Sequence, residues 1–252
     1  MFLFFKVMVM RPIRVGHIDL SFHDASAREV EKILEDFGHR VQRYTASHEV
    51  MFSMLGSDQE DMLVSAWLPA SHQKYLTPME HVVRKLTVLY KPFCIWGVPE
   101  HIPAEEVRAV GDLLKPEVLE KMSRRIQGIN PGAGISRFSV KMIDAYRLGD
   151  AGYYFRPGTE TECFGRFEEA VNSGEWIVIP LWHPQFLHHR FQIRALEEPE
   201  GLLGGTDKAT LLTRKSSEMF IGEKALKALK QLYLGNERVS ELDDLLQSKD
   251  SS

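Results

Sequence analysis

Cysteine is scarce. The 252 residues hold only Cys94 and Cys163, with no CxxC spacing, so neither a zinc site nor a dithiol redox pair has support. A disulfide between two thiols so far apart in sequence is equally unsupported, and the redox compartment stays open. Positive charge is not in excess either. The formal net charge is −4, with Lys and Arg scattered among Asp and Glu, which leaves no electrostatic footprint of a nucleic-acid or anionic-membrane partner. Long apolar runs are missing as well. The opening MFLFFKVMVM is interrupted by Lys6, has no basic stretch before it or small-residue cleavage site after it, and is too short to span a bilayer. It reads as an added strand or a lead-in, with the remnant of an export signal as the alternative. Walker A and dinucleotide fingerprints are absent. His48-Glu49 opens an HExxH-like string that Phe52 breaks, and Gly134-Ile135-Ser136-Arg137-Phe138 lacks the closing glycine of a nucleophile elbow. His183, His188 and His189 have no standard ligand spacing and no acidic neighbour, so a solvated or cleft-lining loop is expected there. No metal or other cofactor is called for.

What remains is a chain with 44% apolar and 26% charged residues, enough for one large or two medium α/β domains. Short apolar runs alternate with amphipathic stretches, the pattern of α/β folds with mainly parallel sheets. Ile13 to Leu20 is predicted as a first strand. A helix follows with Ala27, Val30, Ile33, Leu34 and Phe37 on one face, capped by Ser26 and Glu29 and ended by Gly38. A strand near Val41, a helix over Val50 to Leu55 and a strand over Met62 to Ala66 come next. The last runs into Trp67-Leu68-Pro69, and another helical stretch leads to an extended segment at 93–99. Further along, helices are predicted at 104–113, 117–123, beyond Ile135 and over Glu160 to Asn172, with strands over Arg125 to Ile129 and Trp176 to Leu181. Pro199 to Gly205 marks a return crossover, after which Lys208 to Arg214 rejoins the first domain as a strand followed by one or two helices. The last six or seven residues should fray. The division expected is residues 1–97 plus 207–252 in one lobe and 98–206 in the other, with two crossovers as hinge and a ligand cleft between.

Three segments at strand ends stand out, because open α/β sheets place ligands there. They are AWLPASH (66–72), NPGAGIS (130–136) and EWIVIPLWHPQF (175–186), followed by LEEPEGLLGG and a return strand in TDKATLLTRK. In this order and at these separations the chain resembles the glycine betaine/choline-type substrate-binding proteins of ABC importers. The resemblance runs from RVGHIDL to beyond LEEPEGLLGG. It implies the type II periplasmic-binding-protein fold, two α/β lobes that close on a ligand with a quaternary ammonium head. Such a head donates no hydrogen bond and is recognised by aromatic faces, while its carboxylate suits backbone N–H groups at a helix N-terminus.

Carried over by position, the resemblance makes Trp67 one wall of an aromatic cage and Trp182 a second wall from the opposite lobe. His72 becomes a carboxylate donor, and Gly134 and Ile135 supply backbone N–H groups. Trp96 and Trp176, inside apolar runs, are expected in the core. The departures bear on the ligand. Ala133 stands where several relatives carry tryptophan, Pro184-Gln185-Phe186 replaces the usual PHW, and Phe22-His23 occupies a place where a tryptophan is frequent. Phe22, Phe186 and Tyr154 are the replacement rings, and Gln185 joins the candidate ligand residues. Each ring lost weakens a cation–π cage by roughly 0.5–2 kcal/mol, which points to a ligand bulkier, less cationic or differently shaped than glycine betaine.

The resemblance further implies a monomer that docks a membrane permease served by a separate ATPase, in the periplasm or at the cell envelope. The unconvincing leader makes a cytosolic sensor or scavenger the alternative, and an enzyme on the same fold a third reading.

Overall fold

A computed structural model describes residues 11–250, and of 249–250 only the backbone, so the opening apolar segment and its two readings lie outside the described residues. The first sheet is built from β1 (Ile13–Ile18), β2 (Val41–Ala46), β3 (Met62–Leu68), β4 (Val83–Tyr90) and the returning β10 (Lys208–Arg214), in the order β2-β1-β3-β10-β4. β1 runs parallel to β2 and β3, whereas β10 runs antiparallel to both β3 and β4, so the sheet is mixed rather than mainly parallel. β3 is buried along its whole length, as its unbroken apolar sequence requires of a central strand.

Helices α1 (Ser21–Asp36), α2 (His48–Gly56) and α3 (Gln73–Leu76) connect these strands. α1 begins five residues before the predicted cap. Ser26 lies inside it, where its hydroxyl donates to the Phe22 carbonyl at 2.9 Å instead of capping a terminus. Gly38 does end the segment, at a φ of +82°.

β4 was read as helical because Arg84-Lys85 breaks its apolar alternation. Those two residues sit on an edge strand, where charge blocks further strand pairing.

The chain leaves the first sheet after Tyr90, and β5 (Phe93–Pro99) forms the centre of a second, antiparallel sheet ordered β8-β5-β9. Its first residues had been assigned to the first lobe up to residue 97, yet none of them pairs with a strand of the first sheet. Between them come α4 (Pro116–Leu119), β6 (Arg125–Gln127), α5 (Gly134–Ala145), β7 (Tyr154–Arg156), α6 (Glu160–Ser173), β8 (Ile179–His183), α7 (Leu187–Arg190) and β9 (Ile193–Ala195). The helices predicted at 104–113 and 117–123 shrink to a 3-10 turn over Val110–Leu114 and the one-turn α4. Asp112 accepts from the backbone N–H groups of Arg108 and Ala109, which satisfies them without a helical ladder. α6 carries a full capping box, with Thr159 and Glu162 exchanging side-chain-to-backbone bonds at 3.1 and 2.7 Å. β8 starts three residues later than predicted and therefore includes Trp182; its Pro180 is tolerated because β8 is an edge strand.

After β10 come α8 (Glu218–Ile221), α9 (Glu223–Gln231) and α10 (Asn236–Asp250). Of the residues expected to fray, those up to 250 continue α10. α10 packs on α1 and also reaches α7, where Ser240 accepts from the Gln185 N–H and Asp243 from the Phe186 N–H. Cys94 and Cys163 are both buried and free, and Trp96 is fully buried, donating to Ser139 at 2.9 Å. Trp176 is half-buried against the core beneath Lys121. Among the described residues, no helix is long and apolar enough to cross a membrane.

One ion cluster fastens the end of the first sheet. The fully buried carboxylate of Asp61 accepts from Arg11, Arg14, the Arg14 N–H and Ser217. These partners hold its pKa far below the usual carboxylate range against the opposing effect of burial. Replacing Asp61 by Asn leaves two arginines without their counter-charge and should cost about 3 kcal/mol in urea unfolding. In the native protein the Asp61 contribution is complete above the ordinary carboxylate pKa. It should be lost as pH falls below about 4, and the Asn variant should show a flatter acid limb.

Candidate functional site

Between the two units, at the end of β3 and the starts of α1, α2 and α5, lies a cavity of about 20 Å³, room for a single water molecule. From the first sheet come Trp67 at the end of β3, Ser71 and His72 from the turn that follows, and Leu20, Phe22 and His23 at the start of α1, with His48 opening α2. Opposite stand Ile129, Ala133, Gly134 and Ile135 at the start of α5, and Trp182 in β8. Six of the nine residues singled out in the sequence thus line one cavity. Tyr154 does not: it is half exposed on β7. Gln185 does not either. It is fully buried behind Trp182, its side-chain oxygen accepting from the Leu187 N–H. Phe186 packs edge-on against Phe164 and likewise falls outside the lining.

The rings touch one another. Phe22 has its centroid 5.3 Å from Trp67 and 5.6 Å from Trp182, so it bridges the two tryptophans. Trp67 is fixed through its indole N–H, which donates to the Tyr90 hydroxyl at 3.2 Å; that hydroxyl also bonds Ser65, a residue at a φ of +67°. Burial pushes the Tyr90 phenol up to about 12, so it stays a donor and acceptor. The Trp67 backbone N–H donates to His72 Nδ1 at 3.0 Å, which places the proton of the neutral ring on Nε2.

Burial, reinforced by the mutual repulsion of neighbouring imidazoles, drives the pKa values of His23 and His72 well down, and burial, helped by the positive charges of Arg137 and Lys74, takes His48 to about 4 against the pull of Glu49. All three rings are therefore neutral at pH 7. His23 and His48 carry no site role in the sequence, where His48 opens a broken HExxH-like string and His23 follows Phe22 at a place where relatives often carry tryptophan. Their proximity arises from two helix starts that only the sheet order brings together.

Close packing holds the two faces shut. A Cβ on Gly134 would lie 2.5 Å from Ser71 Oγ, so only glycine lets α5 approach this turn. Ser71 is anchored by Asp207, which accepts from the Ala70 N–H at 2.7 Å and the Ser71 hydroxyl at 2.7 Å. Tyr75 donates to the Gly132 carbonyl at 2.9 Å, and Arg137 donates to the carbonyls of Gly132 and Ser71. Beside the cavity, and sharing Leu20, His48 and Ile129 with it, lies an open vestibule of about 400 Å³ lined by Ser47, Asn130, Thr159 and Glu160. Among the described residues no group of three or more His, Cys, Asp or Glu side chains is disposed to hold a metal ion.

Two α/β units meeting over a buried, ring-lined cleft define a type II periplasmic binding protein. The match is extensive: residues 11–252 fit the family model for the substrate binding domain of the ABC-type glycine betaine transport system. The chain belongs to this family. Its fold superposes on the glycine betaine/L-proline-binding protein ProX of Borrelia burgdorferi with a TM-score of 0.83 at 21% identity, covering 95% of this chain and 88% of that one. It superposes equally on lactococcal OpuAC in its closed, glycine betaine-bound form, with a TM-score of 0.83 at 22% identity and coverage of 94% and 90%. A stretch of 101 residues is 24% identical to the glycine betaine/carnitine transport binding protein GbuC of Listeria monocytogenes, taking in 40% of this chain but only 34% of that relative.

The contact between Ser21 and Glu160 supplies a test of closure. Ser21 donates to Glu160 from both its backbone N–H and its hydroxyl, each at 3.2 Å, across the cleft. Burial, helped by Asp243, pushes the Glu160 carboxyl up to about 8. The closed form thus holds a proton that an opened, hydrated Glu160 would release near its ordinary value. Closure is favoured at low pH and should weaken as pH rises from about 4.5 through 8. Intramolecular energy transfer between labels on the two units should report a smaller closed fraction at pH 9 than at pH 6, and Glu160→Gln should remove that difference.

Proposed function

We propose that the protein captures a small betaine-type zwitterion by closing its cleft and presents it to a membrane permease driven by a separate ATPase. The reading rests on one observation above all: Trp67 and Phe22 from one side, and Trp182 and the first turn of α5 from the other, converge on a single cavity. Aromatic faces would hold the cationic end. The N–H groups of Gly134 and Ile135, with the dipole of the twelve-residue α5, would receive the carboxylate, and His72 would add its Nε2 proton.

The cavity of about 20 Å³ cannot hold such a ligand, so capture begins with opening. We take the hinge to be the passages around 91–92 and 205–206, in keeping with a chain that leaves the first sheet after Tyr90 and re-enters it at Lys208. The unit between them, about 92–206, would be one lobe and the remainder the other. Delivery to a permease requires a location outside the cytoplasm, and a monomer satisfies it. The ligand leaves unchanged; no turnover is part of the scheme.

A thermal-shift panel of betaines, choline, carnitine and unmodified amino acids tests the reading. Binding should raise Tm, equivalent to about 2.7 kcal/mol at a hundredfold excess over Kd. Trp67→Ala or Trp182→Ala should weaken binding by about 2 kcal/mol, roughly thirtyfold. Silence across the panel, or a ligand recovered chemically altered, would overturn it.

A further inference from the structure

We propose that the head group bound in this cleft carries at least one N–H, so that the site selects primary to tertiary ammonium zwitterions over quaternary ones, with His23 as the specificity-determining residue. The inference rests on the capture function proposed above and concerns the same cavity. Three polar atoms of its lining rings find no hydrogen-bond partner among the described residues: His23 Nδ1, His48 Nδ1 and Trp182 Nε1. Their residues are 1%, 3% and 1% exposed, so bulk water does not reach them. A buried polar group left unpaired is costly, and such groups persist where a partner arrives during function.

The positions narrow what that partner is. His23 lies at the aromatic end of the cavity, with its ring centroid 4.2 Å from Phe22, 5.9 Å from Trp67 and 6.5 Å from His72. A cation lodged against Phe22 and Trp67 therefore meets an imidazole edge as well as two π-faces. A neutral imidazole offers one lone pair and one N–H. A quaternary ammonium presents only C–H groups to that lone pair, whereas an ammonium bearing hydrogen donates to it directly. Trp182 Nε1 is a donor only, and it calls for an acceptor on the same ligand, such as a carboxylate oxygen.

Glycine, sarcosine, N,N-dimethylglycine and glycine betaine share one carboxylate and differ only in N–H count, so calorimetric titration of the four isolates the effect. At least one N–H-bearing member should bind ten times more tightly than glycine betaine, and His23→Phe should narrow that ratio to under threefold. In the native protein, the Nδ1 resonance of ¹⁵N-labelled His23 should shift on adding dimethylglycine and not on adding glycine betaine, a readout that needs no variant. Glycine betaine binding tightest, or an equal loss for all four ligands in His23→Phe, would overturn this inference and leave the capture function standing. No binding by any of the four, nor by the wider panel, would overturn both.

Discussion

Everything in this molecule turns on the contact of Phe22 with Trp67 and Trp182. Those three rings join the interior beneath the first sheet to the interior of the second unit, so that one apolar cluster runs from Val15, Val30 and Val64 through the cleft to Ile179 and Phe167. Burial of apolar surface is worth about 25 cal/mol per Å², and an aromatic ring buries 150–250 Å², so the seam is a large part of what holds the units together. In the proposed capture, a ligand that enters would part these rings. It replaces their mutual contact with its own, and the gain on binding is the difference between the two.

That difference is shaped by polar restraints around the seam. Trp67 cannot swing freely, because its indole N–H is tied to Tyr90 and its backbone N–H to His72. The turn carrying Ser71 is fixed by Asp207, and α5 comes within reach of it only through the missing side chain of Gly134. These restraints lie within the first unit or at its boundary, so they preorganise one wall while the opposite wall closes upon it. Other bonds reach across the cleft, among them Tyr75 to Gly132, Arg137 to Ser71 and Ser21 to Glu160.

The fold was legible in the sequence wherever periodicity and punctuation agreed. β3 announced itself by its apolar run before Pro69 and α1 by its apolar face, and the helix expected over Glu160 to Asn172 is α6. Where side-chain chemistry competed with pattern, the reading slipped. β4 hid behind Arg84-Lys85, an edge-strand device, and the stretch at 104–123 has helical composition but spends its backbone donors on Asp112. Trp67, His72, Gly134, Ile135 and Trp182, singled out by resemblance within the strand-end segments, and Phe22, named as a replacement ring, all line the cavity. Tyr154 was misjudged because an aromatic near a strand end carries no sign of which way the strand faces, and Gln185 because β8 runs on through Trp182 and turns the next residues back toward α10. His23 and His48 were out of reach of any local pattern, since they are 25 residues apart and meet only through the order of the sheet.

α10 gives the cleft its remaining coupling. The helix lies along α1 in the first unit, yet it also accepts the N–H groups of Gln185 and Phe186 and pairs Asp244 with Arg190 of α7. The turn it grips follows directly on Trp182, so motion of that ring away from Phe22 is transmitted to the helix. Asp243 is buried there with its carboxyl pushed up to about 6, beside a Glu160 pushed up to about 8. Two raised carboxyls around one serine, Ser21, mean that the closed cleft binds protons which an open one would give up. The aromatic seam and the acidic groups around Ser21 are thus held by the same two elements, the start of α1 and the turn after β8. Neither can shift without the other responding.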